Sequence, residues 1–238
     1  MIGLISDVGK RRPVNEDYAD YHETDEYKLF IVADGMGGHN AGEIASKLAT
    51  EIILEYIKDN WDTFKEDCIL ENAIKASNKK VLSVSNKDEE FKGMGTTIAA
   101  CLITELHIYV ANVGDSACFM LEEQKLIKVT KDHSLVQELL DSGSITEEEA
   151  STHPRKNIIT RAVGAYEEVM VDIFKLPKVM KNKYLLCSDG LLNEVTNDEI
   201  EDILNNYDNE EAAKQLVTLA NEREGRDNIT VLVFGGEL

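Results

Sequence analysis

Short runs of β-branched and apolar residues alternate along this chain with longer stretches whose apolar positions recur at intervals of three and four. The runs over 2–8, 27–33, 96–104, 107–113, 117–121, 170–176, 183–188 and 228–235 have the length and the alternating or wholly apolar character of strands. After the second run, Ile44, Leu48 and Ile52 run beside Ala45, Ala49, Ile53 and Tyr56 as one face of a helix. Leu70, Ala73, Ile74, Ser77 and Val81 make a second such face. Near the C-terminus, Thr196 with Glu199 spells a capping box that opens a helix, and Ala213, Leu216, Val217 and Ala220 mark another.

Strands met in neighbouring groups with helix pairs between them predict an α+β fold. The expected architecture is a four-layer αββα sandwich, two mainly antiparallel sheets flanked by helix pairs. With 238 residues, 43% of them hydrophobic, the chain can bury a full core, and no Pro- or Ser-rich linker divides it. Residues 1–238 therefore read as a single domain. The pattern is interrupted over about 133–156, where LVQELLDSG predicts a short helix and a capping box at Thr146 and Glu149 opens another. That segment reads as a small flap on the sandwich.

Composition narrows the partners. Against 45 acidic residues stand 25 basic ones, a formal charge of -20 spread along the chain. A duplex-binding surface works by releasing counterions through Lys and Arg, so nucleic acid is not an expected partner. Cys68, Cys101, Cys118 and Cys187 lie far apart, most of them in apolar runs, and read as buried thiols in a reducing compartment. The chain opens on an alternating segment with no signal-peptide pattern, and no run nears the roughly 18 apolar residues of a membrane span. The expectation is a soluble cytoplasmic protein, a monomer, with no membrane partner.

The candidate chemistry lies in acidic clusters at strand ends: NED at 15–17, ADG at 33–35, SDG at 188–190 and RDN at 226–228. One Asp-Gly pair after a strand is ordinarily a turn. The same pair after two apolar strands, with a further Asp just before the last one, suggests side chains converging in a common mouth. Carboxylates packed together repel, and burial raises their pKa values unless cations neutralise them. With oxygen ligands, those cations would be magnesium or manganese rather than zinc, and two such ions can activate a water for displacement at phosphorus. Arg12, just before the first cluster, offers a guanidinium fork that matches phosphate oxygens. Arg11 would point the opposite way along an extended chain.

These motifs together resemble the metal-dependent protein phosphatase family, the type 2C serine/threonine phosphatases, in its compact bacterial form. The resemblance rests on RPVNED from Arg12, VADGMGGHNAGEIAS from Val32, GMGTT from Gly93, VGDS from Val113, DHSLVQEL from Asp132, ITRAVG from Ile159, CSDGL from Cys187 and GRDNITV from Gly225. It spans essentially the whole chain in the family's order. It implies hydrolysis of phosphoserine and phosphothreonine on proteins by in-line attack of a metal-bridging hydroxide, with a serine/threonine kinase as the opposing partner. It makes Asp34 the carboxylate shared by two ions, Mn²⁺ or Mg²⁺, with the Gly35 carbonyl on one of them and Asp189 and Asp227 completing the other. Asp17 would stand beside the second ion, Glu16 would act through water, and Arg12 would hold the phosphate. Asn228 would orient the Asp227 loop.

The chain departs from the family's pattern at a few positions. Asp115 matches the ligand of a third, weakly bound ion, but its partner position carries the neutral Asn193. Ala117 follows Ser116 where Arg is common, and Met36 stands where the animal enzymes carry a His. His39 is then the candidate general acid. Two other readings compete: a silent phosphatase-like binding module, which would be expected to have lost a ligand, and a two-metal nuclease, which the charge of -20 disfavours.

Overall fold

The computed structural model describes residues 1–38, 41–63, 66–151, 153–179 and 181–238. One sheet joins, in spatial order, β2 (Asp17–Glu23), β3 (Lys28–Met36), β5 (Ile98–Ile103), β6 (His107–Val113) and β9 (Asp172–Pro177), with the short β4 (Gly95–Thr96) paired to β3. The other runs β1 (Gly3–Asp7), β11 (Ile229–Gly235), β10 (Lys183–Cys187), β7 (Ala117–Glu122) and β8 (Lys125–Lys128). Neighbouring strands are antiparallel throughout. Helices α1 (Ala41–Asn60) and α2 (Glu66–Ser85) cover the first sheet. The short α5 (Asp189–Leu192) with α6 (Asn197–Asn206) and α7 (Asn209–Arg223) cover the second. This is the expected αββα sandwich.

Strand β3 shows why the layers form. Its residues alternate, so that Leu29, Ile31 and Ala33 pack under the helices while Phe30 and Val32 face the other sheet. A strand buried on both faces reads as the unbroken apolar run LFIVA. Between the sheets Phe30 stacks on Phe234, ring centres 3.8 Å apart and planes within 9°. Truncating a ring buried like this costs about 3–5 kcal/mol.

All the expected strands are present, with ends moved by a few residues. Two further strands, β2 and β8, were not legible: DYADYHE and KLIK are mostly polar and lie at the outer edges of their sheets. The first strand ends at Asp7, and the chain turns at Gly9, whose φ is 75°. Arg12 therefore stands beyond the strand, and the alternation expected to separate it from Arg11 does not operate.

Over 133–156 the structure has α3 (Leu135–Asp141), capped by the Ser134 hydroxyl, and α4 (Glu147–Ser151). Thr146 and Glu149 make the expected reciprocal bonds: the Thr146 N–H donates to the Glu149 carboxylate at 2.8 Å, and the Glu149 N–H donates to the Thr146 hydroxyl at 3.3 Å. The segment returns to its starting point, since Ser134 bridges Ile159 and the Thr160 N–H donates to the His133 carbonyl at 2.8 Å. The four cysteines form no disulfide, and Cys101, Cys118 and Cys187 are buried. Among the described residues, no helix is long and apolar enough to cross a membrane.

Candidate active site

The carboxylates converge because of register. Asp17 at the start of β2 lies opposite Asp34 near the end of β3. In the other sheet β10 runs out into Ser188 and Asp189, beside Asp227 just ahead of β11. Arg12, Glu16, Asp34, Asp115, Asp189 and Asp227 all line one cavity of about 300 Å³ at this end of the sandwich. Asp17 sits behind them, buried, its Oδ2 accepting from the Ser188 hydroxyl at 2.7 Å. A larger cleft, about 620 Å³ beside α2, is lined by Lys75, Lys79, Arg161 and Asp172 among others, with none of these convergent aspartates.

The two Asp-Gly pairs have a different cause from the turn their sequence suggests. Gly35 lies within β3, and a Cβ there would stand 2.0 Å from the Gly42 carbonyl oxygen at the start of α1. Gly190 lies in α5, and a Cβ there would stand 2.0 Å from the Asn228 carbonyl oxygen. Neither has positive φ. Glycine is required by the close approach of a second backbone, which brings α1 against β3 and the Asp189 turn against the Asp227 loop.

Hydrogen bonds then fix each carboxylate's backbone. The Asp34 N–H donates to the Thr97 hydroxyl at 2.9 Å, and its carbonyl accepts from the Thr97 N–H at 2.8 Å. Asn228 accepts from the Glu16 N–H at 2.9 Å and donates its amide to the carbonyls of Val8 and Val14. One side chain thus ties the loop holding Arg12 to the loop holding Asp227. Gly114, next to Asp115, donates its N–H to His133 Nδ1 at 3.1 Å and accepts from the His133 N–H at 2.8 Å. With Nδ1 accepting, the ring proton resides on Nε2, facing Asp172 Oδ2 at 3.1 Å.

The cluster is electrostatically unbalanced as it stands. Burial pushes Asp17 up to about 7 against the hydrogen bonds it accepts from Ser188 and Thr230, with Asp189 and Asp227 adding to the rise. Asp34 opens onto the cavity but is sunk deep among protein atoms, and burial followed by Asp17, Asp189, Asp115 and Asp227 holds it well above the usual carboxylate range. Asp189 is raised by burial and by Asp227, and Asp115 is pushed to about 7 by burial with Asp189 and Asp132 nearby. Glu16 is raised chiefly by burial, against the pull of Arg12.

The residues fit a cation on a specific observation. Oδ1 of Asp17 and Oδ1 of Asp189 are buried with no hydrogen-bond donor. The neighbour able to satisfy Asp189 is the carboxyl of Asp34, and only if a proton is added. Such acceptors are costly unless a cation or proton meets them. No three His, Cys, Asp or Glu side chains among the described residues form a ready coordination shell. Other oxygens of the cluster are engaged within the chain: Arg12 donates to Asp227 Oδ2 at 2.8 Å and Asn193 donates to Asp189 Oδ2 at 3.2 Å.

The structure therefore brings together Arg12, Asp17, Asp34, Gly35, Asp115, Asp189 and Asp227, with Glu16 and Asn228 beside them. His39 lies outside the described residues. Sequence reading missed the supporting hydroxyls of Thr97 and Ser188, although both fall inside quoted motifs, GMGTT and CSDGL. It also missed Asn157 and Ile159, which line the cavity. Ile159 opens the ITRAVG motif, whereas nothing local marks Asn157, which the return of the 133–156 segment carries there.

The model of the protein phosphatase 2C family matches residues 10–221. The chain is 40% identical over 238 residues to the serine/threonine phosphatase stp of Listeria monocytogenes, covering 98% of this chain and 94% of that one. Its fold superposes with a TM-score of 0.89 on the serine/threonine phosphatase PstP/Ppp of Mycobacterium tuberculosis, at 35% identity over 98% of this chain and 97% of that one. A structure of the PstP catalytic domain in complex with two manganese ions superposes at 0.86, with 34% identity over 98% and 96% of the two chains. The chain belongs to the protein phosphatase 2C family.

Proposed function

We propose that Asp34, the Gly35 carbonyl, Asp17, Asp189 and Asp227 hold two divalent ions, magnesium or manganese, in the site of a protein serine/threonine phosphatase. The observation that carries this reading is the set of buried carboxylates raised in pKa, two with unpartnered oxygens, opening on a cavity whose rim holds one guanidinium. Membership of the protein phosphatase 2C family and 40% identity to a serine/threonine phosphatase over the whole chain support the same activity. When bound, the ion pair supplies an activated water and neutralises charge gathering on the phosphoryl oxygens.

The chain's own residues do the rest. Arg12 binds and orients the phosphate, exchanging Asp227 for phosphoryl oxygens with the same fork. Asn228 and Thr97 keep the ligand backbones in place, so little reorganisation remains when substrate arrives. Cys187, two residues from Asp189, is buried with its thiol pushed up to about 12, and offers no nucleophile.

The substrates are phosphorylated proteins, a serine/threonine kinase of the same cell among them, and the chain acts in the cytoplasm as a monomer. Residues 133–156 form a flap on a single phosphatase domain, a reading supported by the bridge that closes their base and by the contribution of Asn157 and Ile159 to the cavity. Phosphate release from a phosphothreonine peptide with Mn²⁺, run beside a duplex DNA digestion, tests the activity. Release that EDTA abolishes and Mn²⁺ restores is expected, with the DNA intact. DNA cleavage, or full activity in the chelated and dialysed chain, would contradict the reading.

A further inference from the structure

Beside the main cavity lies a smaller one, about 130 Å³, lined by Asp115, Asp132, Lys156, Asp189 and Asn193 among others. Three carboxylates face a small space, which makes it attractive to cations. One of the chain's own ammonium groups, that of Lys156, lines it, and a second, that of Lys128, reaches one of its carboxylates from outside. Lys128 Nζ donates to Asp132 Oδ1 at 2.6 Å, and Lys156 Nζ donates to Asn193 Oδ1 at 2.7 Å. Asn193 in turn donates its amide to Asp189 Oδ2 at 3.2 Å.

Asn193 is suited to this arrangement as a carboxylate would not be. An amide can accept from the lysine with its oxygen and donate to Asp189 with its nitrogen, whereas an ionised Asp would present only acceptors to Asp189. Both polar ends of Asn193 are thereby committed. An ion entering the pocket would have to share the Asn193 oxygen with Lys156, and it would meet the ammonium charge at close range.

We propose that Lys156 is the built-in cation of the Asp115 pocket, competing there with a third divalent ion. Lys156 belongs to the returning end of the 133–156 segment, so occupancy of the pocket depends on where that segment lies. The proposal rests on the two-ion reading above, and it makes the third ion weak for a reason specific to this chain.

Mn²⁺ titration by calorimetry, with free ion followed by electron paramagnetic resonance, tests it on the full chain and on Lys156→Met, Lys156→Arg and Lys156→Met combined with Asn193→Asp. Lys156 is exposed, so folding does not depend on it. Two tight ions are expected in every variant. The third should bind about tenfold more tightly in Lys156→Met than in the parent, more tightly still in the double variant, and as weakly as in the parent in Lys156→Arg. Two tight ions throughout with an unchanged third affinity in Lys156→Met would overturn this proposal alone. Fewer than two tight ions in the parent would overturn the two-ion reading and this proposal with it.

Discussion

Replacing Asp17 with Asn should stabilise the metal-free chain at alkaline pH while removing its activity. In the metal-free fold Asp17 keeps its proton up to about pH 7, whereas an unfolded chain releases it at the ordinary value near 3.8. Between those values the folded state binds the extra proton. Stability from this group is thus fully present below about pH 4 and falls as pH rises towards 7. At 1.36 kcal/mol per unit, the roughly three-unit difference amounts to about 4 kcal/mol of destabilisation above pH 7, an upper bound because Asp34 and Asp189 share the strain. Asn keeps an acceptor for the Ser188 hydroxyl and carries no charge. Melting curves in EDTA at pH 5 and pH 8 read the effect, since 1 kcal/mol corresponds to about 2–4 °C for a chain of this size. The variant should melt higher than the parent, by up to roughly 8–16 °C at pH 8, and the gap should narrow at pH 5. A variant less stable than the parent at pH 8, or a gap independent of pH, would refute the claim that this carboxylate is held under strain for a cation.

Arg12→Ala should raise KM for phosphopeptides and lower kcat/KM by roughly 10- to 150-fold, the equivalent of about 1.5–3 kcal/mol for a charge-assisted pair. Its count of tight ions should not change, because Arg12 touches Asp227 from the exposed side. Unaltered phosphopeptide kinetics would remove Arg12 from the site. Gly190→Ala places a methyl 2.0 Å from the Asn228 carbonyl oxygen and must push the Asp189 and Asp227 loops apart. Loss of tight Mn²⁺ binding by calorimetry is expected, together with a destabilisation of about 1–3 kcal/mol in urea unfolding. A variant that binds two ions like the parent would show that the loops do not need this approach.

The layers of the sandwich were legible because most strands are buried on both faces and carry unbroken apolar runs, as in FIVA and YLLC. Where burial is one-sided or slight the signal disappears: β2 mixes Tyr with Asp, His and Glu, and β8 is short and largely exposed. The aspartates were legible too, because motif spacing and strand ends are local properties. What sequence could not give was the reason for Gly35 and Gly190, which depends on a second backbone arriving from far along the chain. The same holds for the bond from Lys156 to Asn193, which exists only because the 133–156 segment folds back on its own base. Arg12, expected beside the first acidic cluster, lines the cavity from beyond the end of the first strand and pairs there with Asp227.

Under the proposed function Asp34 is shared by two ions, and turnover depends on both. Calorimetric Mn²⁺ titration of Asp34→Asn, alongside phosphopeptide kinetics on the same preparation, tests it most directly. Fewer tight ions than in the parent and no measurable turnover are expected, because one substitution weakens both ions at once. An Asp34→Asn chain that binds two tight ions and still releases phosphate would contradict it.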